Sequence, residues 1–456
     1  MTSMRGQLFS ACSILFLCAL SARGVSGDEG EFTTLHFKNI LGTSETASTR
    51  PIDTQNAFFQ SLGTNDRACI TCHQPGDGWT VSASNVRKRF IDSDGFDPIF
   101  RLNDGATCPS ADVSSLDDRR RAYALLLKKG LIRVALPIPA NAEFSLVDVD
   151  DPYACTSAAE LALFRRPLPS TNLRFLSAVM WDGRETRPGK TMAENFRQQA
   201  IDATIGHAQA SLPPTEDQLR QINDFETALF TSQVRDRNAG ALDADGALGG
   251  AMTLSQQPFF IGINDPIGLN PTGAPFDPRA FTIFSNWLRR SQPGEDGQGA
   301  RRAIARGQEL FNSRPITITG VGGLNDALGL TSIAGTCTTC HDTPNAGDHS
   351  VSMPLNIGIS DEANRTADLP LYTLSCNTTG AFIRTSDPGR AMITGKCADV
   401  GKVKGPVLRG LAARAPYFHN GSAASLAEVV DFYNRRFTLR LTAREKADLV
   451  AFLGAL

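Results

Sequence analysis

Cys69-Ile70-Thr71-Cys72-His73 recurs in form as Cys337-Thr338-Thr339-Cys340-His341, and this repeat constrains the chain more than any other feature in it. Two thiols one helical turn apart can add across the two vinyl groups of a haem. The histidine that follows then reaches the iron from the same side. A thioredoxin-like or zinc-binding reading of Cys-x-x-Cys leaves both histidines idle. The spacing therefore points to two covalently attached c-type haems, with His73 and His341 as iron ligands.

Export is legible at the start. Arg5 is followed by an apolar run from Leu8 to Leu20 and by small residues at Val25-Ser26-Gly27. Residues 1–27 read as a signal peptide, and no later run is long enough to span a bilayer. A periplasmic protein without a membrane span is expected. The formal net charge is −2, which argues against a polyanion-binding surface and against nucleic acid as a partner. Of the ten cysteines, Cys12 and Cys18 leave with the signal and four hold haem. Cys108, Cys155, Cys376 and Cys397 remain, and an oxidising compartment should bridge them. The sequence neighbours Cys108–Cys155 and Cys376–Cys397 are the natural pairs, with two other connectivities open.

The pattern predicts a mainly α chain of two tandem cytochrome c-like domains, with a disulfide-stapled insertion that contains a small β-hairpin. Residues 28–52 read as an irregular arm, and 53–62 as a short helix leading into the first motif. A helix over 300–311, with Ile304, Leu310 and Phe311 on one stripe, leads into the second. This places the N-terminal domain at 28–298 and the C-terminal domain at 299–456, with the linker at 292–299. Within the insertion, a helix over 117–129 should stop at Gly130. The β-rich stretches 134–138 and 143–149 should pair as the hairpin. Thr215 and Gln218 open a helix over 215–232, and 238–250 reads as loop. Ser425 with Glu428, and Thr442 with Glu445, open the last two helices. The first of these sets Tyr433 on a face with Leu426, Val429 and Val430.

The iron atoms also need sixth ligands. Between His73 and His207 there is no further histidine, and Met180 and Met192 are better placed for packing. The first haem is therefore expected to keep an open, reactive face.

Leu408-Arg409-Gly410-Leu411, followed by Ala415-Pro416-Tyr417-Phe418-His419-Asn420-Gly421-Ser422, resembles the pattern after the second haem of bacterial di-haem cytochrome c peroxidases. Asn172 with Trp181-Asp182-Gly183-Arg184 resembles the element between that family's two haem motifs. The resemblance runs from about residue 50 to 456.

It implies roles residue by residue. Tyr433, fourteen residues beyond His419, stands where the peroxidases carry methionine. That is similar to the MauG-type branch, in which tyrosine ligates the second haem. A core tyrosine is the alternative, with Met353 and Met392 as competing ligands. Trp181 falls on the position that relays electrons between the haems. Asn172, with the backbone carbonyls of Arg414 and Pro416, falls on positions that bind calcium. The distal residues come from the segment ending at Gln209. Gln199 matches, but Gln209 replaces the expected glutamate. His207 could serve as the proton-moving base, as a ligand of the first haem, or as a helix cap. His419 is expected in a structural hydrogen bond, His349 has no clear role, and His36 should face solvent.

The activity so implied is reaction with hydrogen peroxide at an open N-terminal haem. Oxidising equivalents would be shared with the second haem through Trp181, and a partner protein would be oxidised. The family's loop histidine that blocks the first haem has no counterpart in 74–170, so the fully ferric protein is expected to be active. The alternatives are an ordinary di-haem cytochrome c peroxidase fed by a small cytochrome or cupredoxin, an oxygenase of the same superfamily, and a non-catalytic di-haem electron carrier.

Overall fold

A computed structural model describes residues 32–289 and 297–456, together with the short strand Arg23–Gly24. Apart from Arg23–Gly24, the signal peptide lies outside the described residues, as does most of the 292–299 linker. No described helix is long and apolar enough to cross a membrane.

Helices carry the haem motifs and the C-terminal end, but small antiparallel sheets tie distant segments together, so the chain is less purely α than expected. The arm is not irregular. Thr33–Asn39 and Gly42–Ser48 form a hairpin whose second strand pairs with Leu229–Asp236, setting Thr46 opposite Thr231. These stretches are Gly/Ser/Thr-rich and read as loop in isolation. What makes them strands is a partner much later in the chain. The helix Glu216–Ala228 accordingly ends sooner than expected, and Leu229 begins that partner strand.

Residues 53–62 contain only the short turn Ala57–Phe59. Phe58 is nevertheless fully buried, against Phe225 (4.8 Å) and Trp79 (6.1 Å). The predicted 117–129 helix breaks at Tyr123 into Leu116–Ala122 and Ala124–Lys129, and Gly130 (φ 63°) ends it as expected.

The two β-rich stretches of the insertion form strands, but not with each other. Ile132–Leu136 pairs with Leu161–Arg165, and Phe144–Asp150 pairs with Leu371–Cys376 in the C-terminal half. Pro137 and Pro139 lie between them, fix φ and lack N–H donors, so no tight hairpin turn can form there. Both expected disulfides are present, Cys108–Cys155 and Cys376–Cys397, with Cα separations of 5.6 and 6.0 Å. Around the second, Phe144, Leu161 and Leu163 share a core with Tyr372, Leu374 and Met392. The insertion is thus fastened to the C-terminal half.

The C-terminal core begins earlier than residue 299. Phe281 and Phe284 pack on Phe452, and Phe281 packs on Phe311, at 5.3–6.4 Å. The helices Gln298–Ser313 and Ala443–Ala455 cross at Gly307, where a Cβ would lie 2.0 Å from the Asp448 carbonyl. A larger residue there would force them apart.

Candidate haem-binding sites and the residues between them

Each Cys-x-x-Cys-His run forms one tight turn at the wall of its own cavity. Ala68 N–H donates to Thr71 Oγ1, and Thr336 N–H to Thr339 Oγ1, both at 3.0 Å. His73 Nδ1 lies 3.0 Å from the Trp79 carbonyl, and His341 Nδ1 lies 2.7 Å from that of Gly347. A carbonyl can only accept, so Nδ1 carries the proton and Nε2 is left to coordinate.

Cys69, Cys72, Cys337 and Cys340 are all unbridged. Burial pushes Cys337 and Cys340 up to about 12 and raises Cys69 and Cys72 as well. Reactive redox thiols lie in the opposite regime. Nor do the four thiols gather into one cluster among the described residues. Paired thiols beside a free imidazole nitrogen, twice, are the donor set of covalent haem attachment.

Facing His73 across the first cavity, the helix Met192–Gly206 presents Gln199, Ala203 and Thr204, and His207 follows it. His207 Nδ1 lies 2.5 Å from Asp104 Oδ2, and Asp104 Oδ1 lies 2.5 Å from Arg67 Nη1. Burial alone would raise the Asp104 carboxyl, but His207 and Arg67 hold it below its ordinary range. Asp104 and Arg67 went unread in the sequence, where Asn103-Asp104-Gly105 has the composition of any turn. Glu226, also unread, lines the same cavity, and burial pushes it up to about 8. It is a neutral acid at pH 7. Gln209 is exposed, held by Asn65, and lies outside the cavity. Met180 lies at the cavity edge and packs with Met192 against Leu173, Val179 and Phe196.

The second cavity is almost wholly apolar, with His341 on one wall and Tyr433 on another. Their ring centroids are 6.5 Å apart at 70°. Burial drives the Tyr433 hydroxyl well above its ordinary range, and it makes no hydrogen bond to a described residue. A bound cation would reverse that shift by favouring the phenolate. Neither Met353 nor Met392 lines this cavity, and Met392 lies in the core shared with the insertion.

Trp181 lines both cavities. Its indole Nε1–H donates to the Arg166 carbonyl (2.7 Å), and its own carbonyl accepts from Lys404 N–H (2.8 Å). The next residue, Asp182, is fully buried in an ion triad with Arg165, whose other carboxylate is Asp387 at 2.7 Å. Replacing Arg165 by alanine would leave the buried Asp387 without its guanidinium and Asp182 with Arg184 alone (3.2 Å). A loss of about 3–5 kcal/mol is expected, read as a lower denaturant midpoint of the haem-loaded protein.

Arg166 and Arg409 are buried, Arg414 is half-buried, and none makes an ion pair with a described carboxylate; desolvation lowers them to about 10, 9 and 10. Of the three, Arg166 lines the first cavity, where a haem propionate would supply the missing negative charge. His419 accepts from Arg166 N–H through its carbonyl (2.6 Å) and meets Ser360 Oγ through Nε2 (3.1 Å), the structural bonding expected of it. His36 is half-exposed beside Glu45. Two of the oxygens expected to bind calcium accept hydrogen bonds, which leaves a lone pair on each. Both ends of the Asn172 amide bond the Thr231 backbone, and the Arg414 carbonyl accepts from the Arg166 guanidinium (2.9 Å).

No protein-family model matches the chain. It is 36% identical over 304 residues to the cytochrome-c peroxidase IdrP2 of Denitromonas iodatirespirans, covering 64% of this chain and 68% of that protein. It is also 36% identical over 140 residues to the cytochrome-c peroxidase IdrP1 of Pseudomonas sp. (strain SCT), covering 26% and 36%. A solved MauG-like protein associated with microbial copper homeostasis aligns at 18% identity and a TM-score of 0.35, over 67% of this chain and 77% of that one. That likeness is too remote to bear on function. The first relative sets the class, that of haem-dependent oxidoreductases. The chain belongs to the bacterial di-haem cytochrome c peroxidase family.

Proposed function

We propose that the protein is a periplasmic, MauG-like di-haem oxidoreductase. It takes hydrogen peroxide at the N-terminal site, passes oxidising equivalents through Trp181 to the C-terminal site, and draws electrons from a partner protein. Haems held at Cys69/Cys72 and Cys337/Cys340 would supply the peroxide-reactive iron and a second redox centre. The observation that carries this reading is the difference between the two cavities. One offers a hydrogen-bonded base over the proximal imidazole; the other offers a tyrosine.

The residues divide the work. Asp104, kept ionised, accepts the Nδ1 proton of His207 and so leaves Nε2 free to take a proton from peroxide. Gln199 donates a hydrogen bond without changing charge. Glu226, neutral at pH 7, is a proton source in the same cavity. Arg166 and Lys404 grip Trp181 by its indole and its carbonyl, which fixes the ring between the cavities. Tyr433 and His341, which line the same cavity, would hold the iron of the second haem. Because no loop histidine caps the first site, the oxidised protein should consume peroxide without prior reduction.

The Tyr433→Phe variant tests the assignment. The ferric absorption and EPR signals of the second haem should change while those of the first persist. Unchanged signals would return Tyr433 to packing. They would also favour the second reading, an ordinary peroxidase that makes water with a small cytochrome or cupredoxin as donor. The relatives' name, cytochrome-c peroxidase, is what favours that reading.

A further inference from the structure

Outside both cavities, Asp265, Asp342 and His349 converge in the interior, exposed by 2%, 0% and 3%. One donor atom from each lies within 4.8 Å of the other two. Asp342 Oδ2 lies 2.9 Å from His349 Nδ1, and its Oδ1 accepts from Ser350 N–H at 2.7 Å. Asp265 Oδ2 accepts from the Leu269 (2.8 Å) and Ile267 (3.2 Å) amides. Two atoms are left over. His349 Nε2 and Asp265 Oδ1 are buried with no hydrogen-bond partner, and so is the adjacent Ser350 hydroxyl. Orphaned buried donors and acceptors are rare, because each forfeits its hydration without return. Here an imidazole lone pair and a carboxylate oxygen are orphaned in the same small space. The carboxylate on Nδ1 is the arrangement that orients metal-binding histidines and selects Nε2 as the ligand atom.

We propose that His349 Nε2 and Asp265 Oδ1, with the Ser350 hydroxyl beside them, bind one divalent transition cation of the zinc class, while Asp342 holds the imidazole from Nδ1. A nitrogen donor with a carboxylate oxygen suits a borderline ion better than calcium, which takes oxygen ligands in larger number. Two carboxylates and a neutral imidazole carry two negative charges, which a divalent cation neutralises.

The site joins three chain segments. Asp265 belongs to the 262–269 loop. Asp342 directly follows His341, and the loop from 342 to 349 contains the Gly347 carbonyl that orients the His341 ring. The His349 carbonyl accepts from Ser177 Oγ at 2.8 Å, in the segment leading to Trp181. A cation would therefore stiffen the support of the second haem's imidazole. The proposal stands whether or not the peroxidase reading does.

Untagged, haem-loaded protein would be stripped with chelator, exposed to zinc chloride alone, desalted and analysed for metal. About one zinc per chain is expected beside the haem iron, with a rise in Tm. Asp265→Asn and His349→Gln should each lose the zinc and the Tm rise while the haem absorption stays intact. If His349→Gln fails to accumulate, Asp265→Asn decides alone, since it removes charge without removing the imidazole. Wild-type protein that retains no zinc would overturn the proposal, and the trio would then be an imidazolium held between carboxylates. Equal retention by wild type and Asp265→Asn would overturn it too.

Discussion

Hydrogen peroxide turnover should fall by roughly 10²–10⁴-fold in His207→Ala, with both haems attached and KM little changed. The argument rests on the chain of bonds behind the imidazole. Arg67 and His207 keep Asp104 ionised against its burial. An ionised Asp104 can only accept, so it fixes the Nδ1–H tautomer and leaves a lone pair on Nε2 for the peroxide proton. Asp104→Asn should therefore cost nearly as much. Its amide can donate to Nδ1, which places the proton on Nε2 and removes the base while keeping the shape. Asp104 is a positioning residue, and a packing role would not predict that outcome. Added imidazole should partly restore His207→Ala, because the cavity left behind admits it. Wild-type turnover in His207→Ala would sink the assignment. A ferric spectrum that changes to a new ligand state in that variant would make His207 an iron ligand instead.

The readings that the structure bears out share one property: their signals lie within a few residues of one another. Cys-x-x-Cys-His needs a single turn, and the turn is there at both positions. Thr215, Ser425 and Thr442 cap their helices locally, each accepting the N–H three residues on. The cysteine pairs followed from compartment and spacing. The failures involve partners far away in sequence. Gly42–Ser48 becomes a strand because Leu229–Asp236 lies beside it, and Phe144–Asp150 because Leu371–Cys376 does. Period-two alternation cannot say which strand a stretch will pair with. Asp104 is the same case at the site. Nothing near it distinguishes it from a turn aspartate, and its importance comes from a histidine 103 residues later. The metal candidate shows the converse, since His349 stood alone in the sequence until folding brought Asp265 to it.

The Trp181→Phe variant should hold both haems and still consume peroxide, yet oxidation of the partner protein should drop to background. Phenylalanine keeps most of the ring's packing but loses the indole N–H bonded to the Arg166 carbonyl, and benzene is far harder to oxidise than indole. Trp181 borders both cavities, which places an oxidisable ring between them. Its backbone is tied to Lys404 and its neighbour Asp182 to the Arg165 triad, so the ring cannot swing aside to be replaced by water. The decisive measurement compares two rates in one sample, peroxide loss and partner oxidation. A structural role for Trp181 would depress both together, through misplacement of the two sites. A relay role depresses the second alone. Partner oxidation within a few-fold of wild type in Trp181→Phe would mean that electrons cross by another route. The Arg165 triad would then serve stability without serving transfer, and the two cavities would function as separate centres.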